Sequence, residues 1–119
     1  MKNIILLCSV FLFSLASCQS TGATASVNDM ENVDFTDNSQ VLIDVRTPEE
    51  FAEGHLPNAI NIDVKSDNFA SEIQALDQDK TYYIYCKSGV RSTQAVQQFE
   101  KAGFEHLVNL KDGYSAYKK

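Results

Sequence analysis

Short apolar runs, each bounded by turn-forming residues, alternate with stretches of helical periodicity, and that alternation leaves few architectures open to this chain. The runs are Val41–Ile43, Ala59–Ile62, Tyr82–Tyr85 and His106–Leu110, each short enough to read as a buried strand. Between them, Thr47 stands before Pro48 and three residues ahead of Glu50, the spacing of a capping box with proline at the first helical position; Gly54 is the stop. From about Asn68 to Leu76, Phe69, Ile73 and Leu76 share a helical face, and Ala95, Val96 and Phe99 do the same in Ser92–Ala102, which Gly103 closes. Strand–helix alternation predicts an α/β fold: a small, largely parallel sheet flanked by helices. Ligands in such sheets bind beyond the carboxyl ends of strands, where Cys86 falls.

The N-terminus reads as a targeting segment. Lys2 is followed by Ile4–Ala16, thirteen residues without a charge, too few to span a bilayer as a helix. A basic start, a short apolar core and small residues before a boundary predict a secretory signal peptide over residues 1–17. The boundary Leu15 Ala16 Ser17 Cys18 resembles a bacterial lipoprotein signal. That resemblance implies that Cys18 is acylated and becomes the first mature residue, holding an exported domain to a membrane of the cell envelope, on the periplasmic side or the cell surface. An ordinary signal peptide, with Cys18 incidental, is the plainer reading. Residues 18–32, small and polar at their start, read as a flexible tether, and residues 33–119 as the domain.

Charge and cysteine usage remove several function classes. Loss of residues 1–17 takes away Lys2 and no acid, so 10 basic against 16 acidic residues becomes 9 against 16, and the charge moves from −6 to −7. Nucleic acid is therefore not expected as a partner, and an anionic substrate must be held by local groups. Of three cysteines, Cys8 leaves with the signal and Cys18 is consumed by lipid, so only Cys86 keeps a free thiol. Neither an internal disulfide nor a dithiol cycle nor a cysteine-based zinc site is then available. The two histidines, His55 and His106, lie far apart in sequence, and neither a metal nor an organic cofactor is expected.

Cys86 ends a strand-like run, and Lys87 Ser88 Gly89 Val90 Arg91 curl into the start of a helix. A thiol at a helix N-terminus, with cations nearby, is favoured as thiolate and hence as a nucleophile. If successive amides point inward, Cys86–Arg91 form an anion-binding nest. The stretch Cys86–Ser92 resembles the active-site loop of the rhodanese family. Ile43–Phe51 with Gly54–Ile62 resembles the same family's other hallmark, Leu110–Tyr114 its closing segment, and the likeness runs from about Val33 to the end.

The resemblance implies a sulfurtransferase in which Cys86 takes sulfur from a small anion such as thiosulfate, or from a persulfide donor. The Cys86 persulfide then passes it to a thiol or cyanide acceptor. It implies substrate binding by Lys87, Ser88, Gly89, Val90 and Arg91, with Asp44, Arg46 and Ser92 in support and His55 making a buried hydrogen bond. Plainer readings stand beside these: a buried strand-end cysteine, a solvated Arg91, an ordinary loop Lys87, and a Ser92 that only caps the helix. Here Asp112 precedes Gly113 where the family often pairs glycines, Tyr117 stands where it has tryptophan, and Val33–Ser39 shows little of its usual preceding helix. Two other functions compete. One is a non-catalytic persulfide carrier or envelope protein-binding module. The other is a phosphatase or arsenate reductase, whose related folds place five residues between cysteine and arginine; Lys87–Val90 supplies four.

Overall fold

The computed structural model describes residues 22–119. The expected signal peptide and Cys18 lie outside them, and no helix among the described residues is long and apolar enough to cross a membrane. Five strands, β1 (Ala23–Thr24), β2 (Gln40–Asp44), β3 (Ala59–Asn61), β4 (Thr81–Tyr85) and β5 (Leu107–Asn109), form one sheet in the order β1-β5-β4-β2-β3. Every pairing is parallel. The chain runs from β2 outward to β3, crosses back to β4, and continues to β5 on the other side, so the order reverses between β2 and β4. Their register sets Asp44 opposite Tyr85, which brings the loops after both strands to one rim.

Period-two alternation divides the strand side chains between two cores. On one face, Ile43, Val45, Tyr82, Ile84 and Cys86 pack against Phe69 and Ile73 of α2 (Phe69–Gln74) and Ala95, Val96 and Phe99 of α3 (Val90–Lys101). Edge-on aromatic contacts knit this side, with Phe99 at 6.0 Å from Phe69 and 5.0 Å from Phe104. On the other face, Leu42 and Tyr85 meet Leu56, Leu110, Val27 and Met30.

Val27 and Met30 correct the expected domain boundary. Residues 23–32 are part of the fold: Ala23 and Thr24 pair with Val108 and Asn109, and Val27–Asn32 form a 3₁₀ helix whose Val27 is fully buried. Ser26 and Asp29 cap that helix reciprocally, and Asp112 ties it down, accepting from Ser26 Oγ at 2.6 Å and Val27 N at 3.0 Å. The residue standing in place of one of the family's paired glycines is thus the anchor of the N-terminal segment.

Helix α1 (Pro48–Glu53) follows its sequence signals. Thr47 N donates to Glu50 Oε1 at 3.0 Å, Glu50 N donates back to Thr47 Oγ1 at 3.3 Å, and Gly54 ends the helix. Helix α3 begins at Val90, two residues before the expected Ser92, because Gly89 turns left-handed (φ 104°) and sets the following residues helical at once. The loop and the first turn of α3 are therefore one continuous structure.

Candidate active site

Cys86 leaves β4 as a buried residue, 1% exposed, with its side chain on the α2–α3 face of the sheet. The backbone then doubles back so that Gly89 N–H points at Sγ, 3.0 Å away. Burial pushes the thiol pKa up. The Ser92 hydroxyl and the amides of Ser92, Gly89 and Ser88 push it down further than burial raises it, so the thiol ionises below its ordinary value. The Ser92 hydroxyl has one proton, which in this geometry it gives to the Gly89 carbonyl at 3.1 Å; turning it to the sulfur supports the thiolate instead.

The cations expected to stabilise the thiolate are placed differently. Arg91 forks onto Glu50, with Nη1 at 2.7 Å from Oε1 and Nη2 at 3.0 Å from Oε2, so most of its charge is met by a carboxylate. Lys87 and Ser88 are exposed at the rim, and Val90 is 67% exposed beside them. The Ser92 hydroxyl and the backbone amides of the loop, rather than Lys87 and Arg91, favour the charged sulfur. Glu50 was legible in the sequence only as a capping residue. Its carboxyl also receives Arg91, which with the Thr47 contacts holds it down to about 2 from an ordinary 4.5. The ion pair clamps the helix of the upstream motif to the first turn of α3, across 41 residues of sequence.

Asp44 and Arg46 form a buried ion pair at the end of β2. Arg46 Nη2 lies 2.7 Å from Asp44 Oδ2 and 2.7 Å from the Gly54 carbonyl, and its guanidinium sits 4.5 Å from the centre of the Tyr114 ring. Asn61 Nδ2 donates to the carbonyls of Asp44 and Arg46, both at 2.9 Å, fixing the turn after β2 from the other side. His55 departs from expectation: it is exposed, stacked on Phe51 at 3.8 Å, with Nδ1 3.0 Å from the Phe51 carbonyl. No group of three or more potential metal ligands sits together among the described residues.

The closing segment supports the loop from beneath. Tyr114 N donates to the Cys86 carbonyl at 2.8 Å and Ser115 N to the Lys87 carbonyl at 3.1 Å. This approach is close enough that a β-carbon on Gly113 (φ 74°) would overlap the Lys87 carbonyl, and one on Gly89 the Lys111 carbonyl. Beside the loop, Arg46, Glu50, Glu53, Gly54, Lys87, Tyr114 and Ser115 line a cleft of about 390 Å³. A larger hollow of about 500 Å³ lies away from the sulfur, between the N-terminal 3₁₀ helix and Tyr117–Lys119, and touches no loop residue.

A thiol at the carboxyl end of a central parallel strand, ringed by amides and opening a helix, can accept and hold one anionic atom. The model of the rhodanese-like domain matches residues 27–119. The chain belongs to the rhodanese-like family. Among its relatives, the putative sulfurtransferase YtwF of Bacillus subtilis is 37% identical over 81 residues, covering 68% of this chain and 76% of that protein. The probable adenylyltransferase/sulfurtransferase MoeZ of Mycobacterium tuberculosis is 34% identical over 104 residues; these are 87% of this chain but only 26% of that longer protein. A rhodanese-like domain protein from Staphylococcus aureus superposes with a TM-score of 0.69 at 30% identity, over 82% of this chain and 92% of that one. The match beginning at residue 27 agrees with the packing of Val27 and Met30 against Leu42 and Tyr85.

Proposed function

We propose that this rhodanese-like domain is a sulfurtransferase that carries a sulfane sulfur on Cys86. The reading rests on the Cys86 thiol, which ionises below its ordinary value because the Ser92 hydroxyl and backbone amides converge on it against the cost of burial. The thiolate attacks the outer sulfur of thiosulfate, the S–S bond breaks with its electron pair leaving on sulfite, and Cys86 becomes a persulfide anion. Cyanide then takes the terminal sulfur as thiocyanate and returns the thiolate; a thiol acceptor does the same to give its own persulfide. A persulfide donor loads Cys86 in the same way. The loop amides meet the negative charge at every stage, and Lys87 at the rim borders the cleft beside the loop.

The proposal includes the membrane. Acylation at Cys18 leaves Gln19–Thr21 between lipid and the first described residue, a reach of about 10 Å even fully extended. The domain is then held close to the bilayer surface rather than on a long tether.

Intact mass after thiosulfate exposure tests the chemistry, with Cys86→Ser alongside. An adduct of about 32 Da on the native protein, absent from the variant and removed by cyanide, supports both half-reactions. Failure to load from thiosulfate or any persulfide overturns the enzyme reading. Loading without turnover with any acceptor favours the carrier. Hydrolysis of an aryl phosphate, lost in Cys86→Ser, would favour the phosphatase reading despite the four-residue loop.

A further inference from the structure

Asn109 ends β5 as a polar side chain in an apolar setting, 6% exposed and flanked in sequence by Val108 and buried Leu110. Among the described residues, its Oδ1 is the one buried side-chain polar atom with no protein partner. Its Nδ2 donates to Thr93 Oγ1 at 3.1 Å, and Thr93 Oγ1 donates to the Gly89 carbonyl at 2.8 Å. With the Thr93 hydroxyl proton on the Gly89 carbonyl, the Thr93 oxygen accepts from Asn109 Nδ2 and leaves Asn109 Oδ1 turned away from it. The Gly89 carbonyl also accepts from Ser92 Oγ and Thr93 N, both at 3.1 Å, while Gly89 N–H points at Cys86 Sγ. Leucine has nearly the shape of asparagine and would leave no oxygen unpaired. Asparagine here is a local conflict with stability of the kind that marks a functional position.

We propose that Asn109 is a positioning residue for Cys86: through Thr93 it fixes Gly89, and so keeps the Gly89 N–H aimed at the sulfur. The proposal rests on the reading of Cys86 as a reactive thiolate. The charged groups around the loop are Arg91 with Glu50 from α3 and α1, Glu53 at the end of α1, Asp44 with Arg46 from the end of β2, and the exposed Lys87 and Lys111. Substitution at Asn109 or Thr93 leaves all of them in place, so a change in the titration of Cys86 reports on the amide cradle.

The test is the pH profile of Cys86 alkylation by iodoacetamide, measured with thermal unfolding on the native protein, Asn109→Leu, Thr93→Val and Thr93→Ser. Asn109→Leu and Thr93→Val should each raise the midpoint by roughly half a pH unit, read as about a threefold slower reaction below it. Thr93→Ser should keep the native midpoint, and Asn109→Leu should unfold no lower than the native protein. An unchanged midpoint with a lowered melting temperature in Asn109→Leu overturns the proposal, as does a midpoint that moves in Asn109→Leu but not in Thr93→Val. Should Asn109→Leu fail to fold, the valine and serine pair at Thr93 decides alone. Absence of sulfur loading in the native protein would count against sulfurtransfer and leave this profile intact.

Discussion

Glu50→Gln isolates the ion pair that clamps α1 to α3. Glutamine keeps an oxygen for Thr47 N–H and so preserves the cap, but it removes the charge that Arg91 meets at 2.7 and 3.0 Å. A carboxyl held at about 2 instead of 4.5 corresponds to at most ~3.4 kcal/mol of folding free energy, at ~1.4 kcal/mol per pH unit. The side chains are 20% and 28% exposed, so solvent screening brings the expected effect to about 1–2 kcal/mol, or roughly 5–10 °C in melting temperature for a domain of this size. Because the folded-state value is the depressed one, this stability is fully present above pH 4.5 and disappears as pH falls toward 2. At pH 3 about 40% of it should remain. Thermal unfolding of native and variant protein from pH 7 down to pH 3 reads the difference directly. A gap that is wide at pH 7 and narrows through this window supports the ion pair as a structural clamp. A gap that is the same at every pH would show that the substitution acts through something other than the Glu50 charge, and no gap at pH 7 would show that the pair contributes nothing to folding.

Three further substitutions probe the loop and its supports. Ser92→Ala removes the strongest group lowering the Cys86 pKa and should move the alkylation midpoint up by about one pH unit; an unmoved midpoint would leave the amides as sole support. Gly113→Ala places a methyl group against the Lys87 carbonyl in a left-handed conformation; it should cost about 2 kcal/mol or more and slow sulfur loading, as urea unfolding and mass spectrometry would show. Val27→Ala empties part of the second core and should cost about 2 kcal/mol in urea unfolding, whereas a residue in a flexible tether would cost nothing.

The sequence was most legible where a structure is made by residues close together in the chain. The Thr47–Glu50 box, the proline after Thr47, the glycine at 54 and the apolar runs act over a few positions, and each produced its element within a residue or two. Residues 23–32 were not legible because their fold depends on distant groups. Their 3₁₀ helix is six residues long, and its anchor at Asp112 lies 85 positions away, so it leaves no periodic signal. The same limit hid the second role of Glu50. One carboxylate closes a local cap, which the spacing reveals, and also receives a guanidinium 41 residues on, which no local pattern encodes.

The commitment of Arg91 to Glu50 also alters how the site must handle charge. A chain of net charge −6 repels an anionic donor at long range, and the two arginines near the sulfur are already met by Asp44 and Glu50. Attraction at the mouth of the loop then falls to exposed Lys87, while stabilisation of the sulfur falls to amides held rigid between α3 and the Gly113–Ser115 segment. These tasks respond differently to salt. Capture by an exposed lysine should weaken as ionic strength rises, whereas hydrogen bonds to a buried sulfur are screened little. Increasing salt should therefore slow loading from thiosulfate without moving the Cys86 titration midpoint, and a midpoint that moves with salt would place free charge, rather than backbone dipoles, in control of the thiolate.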